Sequence, residues 1–567
     1  MNVLTNYILK VQGAFMDYAT QSSLKLEEEI VLFIIQPTMD NLETLIYAKH
    51  VVQNTVELCA IFFPKETPEI IEKLIKEELL DTFQIYNFNI DIEPLDADLY
   101  CLESDESFRE IYIDKNYDSI SKLAEVVLKF EAAFGKIQSK YIKGDMAKIF
   151  NDYLTLKEAE HKLKTNEQIL GMIVLDRSID FITPLLSNYT YEGMIDEYLG
   201  INKGNITVKR SFTKSILKPD YRKKKPDDNI EYPLTSDVNG FFSDLRCMHY
   251  ITATNYISSI NDKYVAKFDK NKEVRTTDQM VETFSSFKDF KSIESYLNDN
   301  TNFLKLLYNE VKNIDDANIR QHKLALINGD NKKVETYYND YISEKKDLYK
   351  ILNVIILQSL IQNGIENYFL LKREIMNIYG YQQIFLFRNL EFLNLVKEKE
   401  NITLQKLFKS RFQQINENLN LINRNFKLRE TNDLSYIVEG YCPLTLKLIE
   451  KAGEGGWSEI RETLNLIPGK TSIPFNEKEV ANPTENINTI FVVFLGGITY
   501  AEIEGIRYLN RKYKEIYDKS NDENKTRKQF IIITTQILNS KKLYDILGKK
   551  FKNDCTIKNF YNEISKK

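Results

Sequence analysis

The stretch IVLDRSIDFITPLL, residues 173–186, decides how the rest of the chain is interpreted. An apolar run ends on Asp176, Arg177 follows it, and Asp180 comes four residues after the first acid. The C-terminal end of a parallel strand is where α/β enzymes place catalytic groups, so these acids raise the question of catalysis. No His, Cys or Lys lies near them in sequence, and an arginine between two acids favours the ionised form of both. We therefore predict that Asp176, Arg177 and Asp180 form a structural ion network that holds a strand end to the following turn.

Apolar runs on either side of this stretch predict the strands of its sheet. The run 168–176 has the character of a strand buried on both faces, and Thr190 caps a predicted helix at 191–199. Further along the chain, the runs 488–497 and 529–535 predict two more strands, each followed by a helix. Because a lone strand cannot bury both of its faces, we predict that these three strands share one sheet.

The N-terminal part of the chain shows a similar alternation. Three short apolar runs predict strands, at residues 30–35, 56–63 and 83–90. Helical patterns separate them, one from Asp40 onward and one capped by Thr67 with Pro68 at the first helical position. Strands that are apolar on both faces and joined by helices predict a parallel sheet covered on both sides.

The segment 241–433 loses the strand signal and shows helical spacing instead. Two apolar stripes are predicted there, one formed by Ile293, Tyr296, Leu297, Leu304, Leu307, Val311 and Ile314, the other by Val334, Tyr337, Tyr338, Tyr341, Leu348, Leu352 and Ile355. We predict that this mainly helical block is inserted between the two halves of one α/β domain.

Motifs of nucleotide-binding and hydrolytic enzymes are incomplete. IPGKTS, residues 467–472, contains the tail of a phosphate loop, but Leu464 stands where the loop needs its first glycine. GWSEI, residues 456–460, has the first glycine and the serine of a nucleophile elbow, but Ile460 replaces the second glycine. FLGGITYAEIEG, residues 494–505, lacks the glycine spacing of a dinucleotide fingerprint. We expect no enzyme activity and no cofactor.

Other polar candidates have local explanations. Thr499 and Glu502 have the spacing of a capping box, which is a structural role at the start of a helix. The histidines are His50, His161, His249 and His322, and none has a second ligand at metal-binding spacing. We therefore predict no metal site.

Length and composition narrow the remaining possibilities. A chain of 567 residues should contain three or four domains. Its net charge of −6 argues against nucleic-acid binding by bulk electrostatics, and its five separated cysteines favour a reducing compartment. The start of the chain does not have the pattern of a signal peptide, and its longest apolar run is too short to span a membrane. We expect the protein to reach membranes only indirectly, through partners.

The segment 174–200, VLDRSIDFITPLLSNYTYEGMIDEYLG, resembles the long signature of the SM (Sec/Munc-type) family, whose members chaperone SNARE assembly. The match comprises Asp176, Arg177, Asp180, Pro184, Tyr191 and Glu192. Residues 351–365 resemble the helix that closes the first helical subdomain of that family. Segments 440–450, 456–469 and 492–509 resemble its vacuolar protein sorting-associated protein 33 branch. Over the first 160 residues only the alternating architecture is shared.

The resemblance implies an α/β fold with a helical insert. It would be an arch-shaped protein of three domains, two with parallel α/β sheets and one mainly helical. The implied boundaries are domain 1 at 1–158, domain 2 at 159–245 and 435–567, domain 3a with a helical hairpin at 246–365, and domain 3b at 366–434.

The resemblance also implies a function without catalysis. The protein would bind SNAREs of the syntaxin type and the R type and template their assembly during vesicle docking and fusion. It would be cytoplasmic and peripheral on late endosomes, the vacuole or lysosomes. There it would belong to the HOPS and CORVET class C tethering complexes, docked on a companion subunit of the vacuolar sorting protein 16 type.

SNARE binding is predicted on the helical insert, between about residues 264 and 349, because a partner helix can lie along a long amphipathic surface. The candidate contact residues are Tyr264, Tyr296, Lys345, Lys346 and Tyr349. Three alternatives remain open: an SM protein of the Golgi or plasma membrane, a purely structural tethering subunit, and a nucleotide-dependent enzyme on the α/β sheet.

Overall fold

The computed structural model of the chain describes residues 30–35, 42–43, 45–46, 49–50, 57–62, 68–87, 92–160, 169–213, 225–234, 242–270, 277–329, 334–399, 409–426, 433–474, 487–519 and 527–549. For residues 264–270 and 277–293 it describes the backbone alone. The chain forms two compact units, Met1–Glu93 and Pro94–Lys567.

The first unit is built on a parallel sheet. Its elements are β1 (Ile30–Ile35), β2 (Glu57–Phe62), α1 (Pro68–Lys76) and β3 (Phe83–Asn87). The strands lie in the order β1-β2-β3, and both pairings are parallel. Ile70 and Leu74 on α1 are buried in one core with Phe33, Phe62 and Phe83. The predicted strands are confirmed, whereas the helix predicted from Asp40 lies largely outside the described residues.

The strands from residue 93 onward are β4 (Glu93–Asp96), β5 (Leu99–Cys101), β6 (Ile137–Lys143), β7 (Ile169–Asp176), β8 (Asn205–Lys209), β9 (Asn229–Pro233), β10 (Thr471–Ser472), β11 (Ile487–Leu495) and β12 (Arg527–Thr534). Seven of them form one sheet in the order β10-β6-β7-β11-β12-β5-β4. Strand β11 pairs in parallel with β7 and with β12. The prediction that these three strands share a sheet is therefore confirmed.

Three strands of this sheet, β4, β5 and β6, come from the segment that was predicted to belong to domain 1. Strand β6 pairs in parallel with β7, and β5 pairs in parallel with β12. The predicted domain 1 at 1–158 therefore does not coincide with the first compact unit, which ends at Glu93. A short strand such as Leu99–Cys101 gives little periodic signal, so its membership was not visible in the sequence. All of the domain boundaries that the resemblance implies stay predictions.

The helices of the second unit are α2 (Ser107–Arg109), α3 (Asp118–Phe134), α4 (Asp145–Glu160), α5 (Tyr191–Tyr198), α6 (Phe242–Leu245), α7 (Tyr250–Lys270), α8 (Thr277–Val311), α9 (Ile314–Asn328), α10 (Val334–Ser343), α11 (Leu348–Gln362), α12 (Tyr368–Tyr379), α13 (Ile384–Phe392), α14 (Arg411–Leu419), α15 (Leu444–Glu454), α16 (Arg461–Leu466), α17 (Tyr500–Asp518) and α18 (Ser540–Gly548). Strands β8 and β9 form a separate antiparallel pair. Among the described residues of 242–434, the regular elements are helices, as the spacing predicts.

The two predicted stripes of the insert differ in what they form. On α8, Leu297, Leu304 and Leu307 are buried, but Ile314 is exposed because it begins α9 instead of continuing α8. The second stripe is divided between α10 and α11 by a turn at 344–347, where Lys345 has a φ of 53°. Its members on both helices are largely buried, so most of this apolar surface serves internal packing.

Candidate functional site: the end of the sheet and the helical insert

Asp176 ends β7 and joins three segments. Its carboxylate accepts hydrogen bonds from the backbone N–H groups of Met146 and Ser178, both at 2.8 Å, and from the hydroxyl of Tyr112. The Asp176 side chain is almost completely buried. Since these donors come from the start of α4, the turn after β7 and the segment before α3, the carboxylate ties neighbouring parts of the sheet end together.

Arg177 pairs with a carboxylate that the sequence did not associate with it. Its guanidinium donates to both carboxylate oxygens of Glu502, at 2.7 and 2.9 Å, and to the backbone oxygen of Asp180. Both side chains are fully buried. The predicted network of Asp176, Arg177 and Asp180 did not include Glu502, with which Arg177 forms a bidentate ion pair.

Asp180 stabilises the turn that follows. Its Oδ1 accepts from the backbone N–H groups of Ile182 and Thr183, each at 3.0 Å, and its Oδ2 accepts from the Thr183 hydroxyl at 2.6 Å. Burial raises the pKa of Asp180, an effect that the Arg177 guanidinium opposes. With its oxygens occupied by local donors, Asp180 holds the backbone rather than facing an open space.

Glu502 is the residue whose wider role the sequence analysis missed. The predicted capping box is present, since Thr499 accepts from the Glu502 N–H and Glu502 accepts from the Thr499 N–H. The same carboxylate also accepts from the hydroxyl of Thr445 at 2.6 Å and binds Arg177. It therefore joins α17, α15 and the turn after β7. A local spacing rule detects the cap, but it carries no signal for a partner 325 residues away.

A second buried network surrounds Arg507 on α17. Its guanidinium pairs with Glu192 at 2.7 Å, with Glu504 at 2.8 Å and with Asp98 at 3.1 Å. Arg246 pairs with Asp96 nearby. Glu192 belongs to the signature segment, so a second signature residue is also engaged in an ion pair that links distant parts of the chain.

In the Arg507 network, the pKa values of two glutamates, Glu192 and Glu504, are shifted in opposite directions. Burial raises the pKa of Glu192 well above its usual value. Burial also acts on Glu504, but a hydrogen bond from Glu192 and the charge of Arg507 lower the pKa of Glu504 to about 2. Burial and the shared Arg507 guanidinium therefore displace the pKa values of Glu192 and Glu504 in opposite directions within one network.

The arrangement at the sheet end is that of a scaffold. The oxygens of Asp176, Asp180 and Glu502 are engaged by backbone N–H groups, hydroxyls and a guanidinium, and no lysine or histidine is among the partners described above. Within the ranges that the structure describes, no group of three His, Cys, Asp or Glu side chains is placed to hold a metal ion. In the same part of the chain, no helix is long and apolar enough to cross a membrane.

The predicted SNARE-contact residues lie on different parts of the insert. Tyr264 is on α7, but its side chain lies outside the described residues. Tyr296 is half-buried on α8. Lys345 and Lys346 lie in the turn between α10 and α11, and Tyr349 lies in the first turn of α11. The shared role of these five positions stays a prediction.

The partners of Lys346 and Tyr349 are intramolecular. The Lys346 ammonium pairs with Asp315 at 2.9 Å and Glu344 at 2.7 Å, and it lies 5.2 Å from the centroid of the Tyr341 ring. Tyr349 packs against Tyr544 with ring centroids 5.3 Å apart. Lys345, in contrast, is exposed.

The sequence profile of the Sec1 family matches residues 11–545. The chain belongs to the Sec1 family.

Relatives within this family carry names from vacuolar sorting. The chain is 25% identical over 541 residues to vacuolar protein sorting-associated protein 33A of Rattus norvegicus, which covers 92% of this chain and 87% of that protein. It is 24% identical over 573 residues to the vacuolar protein-sorting-associated protein 33 homolog of Arabidopsis thaliana, covering 96% of this chain and 90% of that protein. These matches agree with the resemblance found in the C-terminal segments.

Solved structures of low identity show the same fold. The complex of the SM protein Vps45 with the Qa SNARE Tlg2 gives a TM-score of 0.59 at 14% identity, covering 94% of this chain and 90% of that one. The Unc18–syntaxin 1 complex from Monosiga brevicollis gives a TM-score of 0.60 at 14% identity, covering 94% of this chain and 89% of that one. The SM fold predicted from the sequence is therefore confirmed for this Sec1-family chain.

This Sec1-family chain also has an apolar surface that the sequence analysis did not predict. Tyr368 and Lys372 at the start of α12 contact Glu391 at the end of α13, at 2.7 and 2.6 Å, so the two helices form an antiparallel hairpin. Five large apolar side chains of this hairpin are exposed: Phe369 (66%), Leu370 (53%), Tyr381 (70%), Ile384 (49%) and Phe392 (56%). Exposed apolar groups on two neighbouring helices make this hairpin a candidate protein-binding surface. We call it the α12–α13 surface.

Proposed function

We propose that this Sec1-family chain binds SNARE proteins and templates their assembly during vesicle docking and fusion at late endosomes, the vacuole or lysosomes. The observation that carries this proposal is the family match over residues 11–545, together with the vacuolar sorting names of relatives that align along nearly the whole chain. The complexes of related fold with a Qa SNARE and with syntaxin 1 support the choice of SNAREs as partners. The protein acts without catalysis.

Templating lowers the entropic cost of SNARE assembly. Two SNARE helices that are held side by side in register lose less conformational and rotational freedom when they pair with the remaining helices. A scaffold for this task must be long and rigid. Helix α8 spans 35 residues, which corresponds to about 50 Å at roughly 1.5 Å per residue. The length of α8 supports the helical insert as the place where a SNARE helix lies.

The SNARE surface should lie outside the buried stripes. Leu297, Leu304 and Leu307 are used for internal packing, whereas Tyr308 and Ile314 near the junction of α8 and α9 are exposed. Lys345 adds an exposed positive charge at the turn between α10 and α11. Exposed apolar and charged groups on the same insert would contact the apolar face and the polar rim of a partner helix.

The partner within a class C tethering complex of the HOPS or CORVET kind would use a different surface. We propose that the α12–α13 surface receives a companion subunit of the vacuolar sorting protein 16 type. Its exposed rings and aliphatic groups provide the apolar centre of an interface, and Arg373, which is exposed on α12, would add a positive charge at its rim. Membrane association at the endosome or vacuole then follows through these partners.

A pull-down from cell lysate with three forms of the chain tests the two surfaces separately. The unchanged chain is expected to retain both a syntaxin-type SNARE and class C companions. A variant with Lys345→Glu and Lys346→Glu is expected to lose SNAREs and keep companions. A variant with Phe369→Asp and Phe392→Asp is expected to lose companions and keep SNAREs, since these two side chains are exposed and their replacement leaves the core intact.

The same experiment separates the rival functions. Capture of one dedicated Golgi or plasma-membrane syntaxin without companions would assign the chain to another trafficking step. Capture of companions without any SNARE would make it a purely structural tethering subunit. A calorimetric titration that gave a micromolar site for ATP, GTP or NAD would contradict the prediction that the protein binds no nucleotide cofactor and would favour the nucleotide-dependent alternative.

A further inference from the structure

A cleft lies beside α17. It has a volume of about 690 Å³ and lies between α17, the short helical turn Leu434–Ile437 and the segment joining α6 to α7. The residues that define its chemistry are Cys247, Tyr256, Tyr436, Tyr508, Arg511 and Lys512. Its volume falls within the roughly 300–1,000 Å³ of ligand pockets in general. Neither of the two surfaces proposed above includes it.

The floor of this cleft contains a buried hydroxyl without a partner. Tyr436 is 2% exposed, and in the part of the chain that is described its hydroxyl makes no hydrogen bond. Buried hydroxyls in native proteins nearly always have a partner, so an unpaired one calls for an explanation. A ligand group that accepts or donates at this position would supply the missing bond.

One wall of the cleft carries a cation that forms no carboxylate ion pair within the described part of the chain. Arg511 is exposed and lines the cleft together with Cys247 and Tyr436. Among the described residues, no carboxylate forms an ion pair with Arg511 within 4.0 Å. Lys512, its neighbour in the sequence, pairs with Glu450 at 2.9 Å and is therefore occupied.

The acids at the rim limit how much negative charge a ligand can carry. Asp244 accepts from the Tyr256 hydroxyl at 3.2 Å, and Glu515 lies 3.7 Å from the Lys519 ammonium. Both remain negative groups beside the cleft, so a ligand with several negative charges, such as a nucleotide, would be repelled. A single carboxylate placed at Arg511 satisfies the guanidinium without meeting this repulsion.

The remaining walls favour a peptide over a small acid. Tyr256 and Tyr508 are both half-buried, and tyrosines with one polar and one apolar edge are typical of peptide-binding surfaces. A free carboxylate alone would leave most of the cleft unfilled.

We propose that this cleft binds a short acidic segment of a partner protein, with one Asp or Glu carboxylate at Arg511 and Tyr436 and the neighbouring side chains against Tyr256 and Tyr508. Its recognition is independent of the SNARE and companion surfaces, because none of its residues belongs to them.

Selection of a random peptide library on the intact chain tests this proposal. The unchanged chain is expected to enrich peptides containing Asp or Glu. An enriched peptide should bind the Arg511→Gln variant about tenfold more weakly, which corresponds to roughly 1.4 kcal/mol. Tyr436→Phe should also weaken peptide binding. This variant should fold normally, because the hydroxyl that it removes has no hydrogen-bond partner in the described part of the chain. The matched control is Lys514→Gln, which removes an exposed charge from the same helix away from the cleft.

Each outcome of the selection either supports or contradicts binding of an acidic segment in this cleft. Acid-rich peptides whose affinity falls with Arg511→Gln and Tyr436→Phe but not with Lys514→Gln would support the proposal. Selection without acid enrichment, or enrichment that Arg511→Gln leaves unchanged, would overturn it. Competition by inorganic phosphate as strong as that by the peptide itself would also overturn it, since the site would then be one for a small oxyanion rather than for a protein segment.

Discussion

The charges at the end of the sheet and the charges of the helical insert have different surroundings. Arg177 and Glu502 are fully buried, and every contact of the pair is made inside the second unit. Lys346 and Asp315 form an ion pair at a similar distance, but 33% and 42% of their side chains are exposed. Ion pairs of similar length therefore occur both in the core and at the surface.

This difference predicts which charges can be changed. Removing one member of a buried pair leaves an uncompensated charge in a low-dielectric interior, and the protein loses several kcal/mol. An exposed pair contributes little because water solvates both partners when they are separated. A protein that must remain rigid while it binds changing partners can place its binding charges on the insert without risk to the sheet.

Replacing Arg177 provides the strongest test of this comparison. Arg177→Ala leaves Glu502 buried without its bidentate partner, so we expect the free energy of unfolding to fall by about 3–5 kcal/mol. Chemical denaturation followed by circular dichroism measures the change. Binding of any partner should fail only to the extent that the protein unfolds.

A double variant separates the pair from its surroundings. Arg177→Met combined with Glu502→Gln removes both charges and keeps similar volumes, so it should be less destabilised than the sum of the single variants. The structural role of this pair would be contradicted if Arg177→Ala were folded and stable but had lost one specific activity. The sheet end would then have a direct functional role.

The sequence predicted the sheet but not the network that closes it. The apolar runs ending at Asp176 and Gly497 carry the periodicity of buried strands, and this local signal was enough to place them in one sheet. The ion pair of Arg177 depends on a residue in another half of the domain, and no local pattern encodes it. Glu502 was assigned only its cap, because the cap is the part of its role that neighbouring residues determine.

In the helical insert, the sequence predicts the helices but not what their apolar faces contact. Its helices follow from spacing, but an amphipathic stripe does not say whether its partner is internal or external. Tyr349 was predicted as a candidate SNARE contact, and the structure shows it packed on Tyr544. The exposed rings of the α12–α13 surface were not predicted either, since exposure is decided by tertiary packing.

Lys143 tests the comparison between buried and exposed charges in another way, because it is a buried cation that can lose its proton. Its ammonium donates to the backbone oxygens of Leu464, Ile467 and Gly469 and to the hydroxyl of Thr471, at 2.7–3.0 Å. Burial lowers the pKa of Lys143 to about 8. Between that pH and the usual pKa of 10.5, the unfolded chain binds more protons than the folded one, so the free energy of unfolding should rise with pH.

The expected rise is about 3 kcal/mol across this interval, at roughly 1.4 kcal/mol per pKa unit. Urea unfolding at a series of pH values from about 7.5 to 10.5 measures it, and the Lys143→Met variant serves as the reference because it lacks the titrating group. An unchanged difference between the two proteins over this range would show that the four acceptors hold Lys143 protonated, in the manner of the arginines. Arg177 should show no such dependence, since a guanidinium does not lose its proton.

Lys346 gives the smallest expected effect and separates binding from stability. Its partners are the partly exposed Asp315 and Glu344 and the ring of Tyr341, so Lys346→Glu should lower the melting temperature by no more than a few degrees. The backbone oxygen of residue 346 accepts from the Tyr379 hydroxyl at 2.6 Å, and this contact persists in any substitution.

Reversing the pair with Asp315→Lys and Lys346→Glu should restore the melting temperature. If the Lys346 charge contacts a SNARE, the reversed pair should still bind SNAREs weakly, because the positive charge has moved to another helix. If binding recovers together with the melting temperature, then Lys346 acts only by holding the turn before α11 in place, and the SNARE contact must be sought elsewhere on the insert.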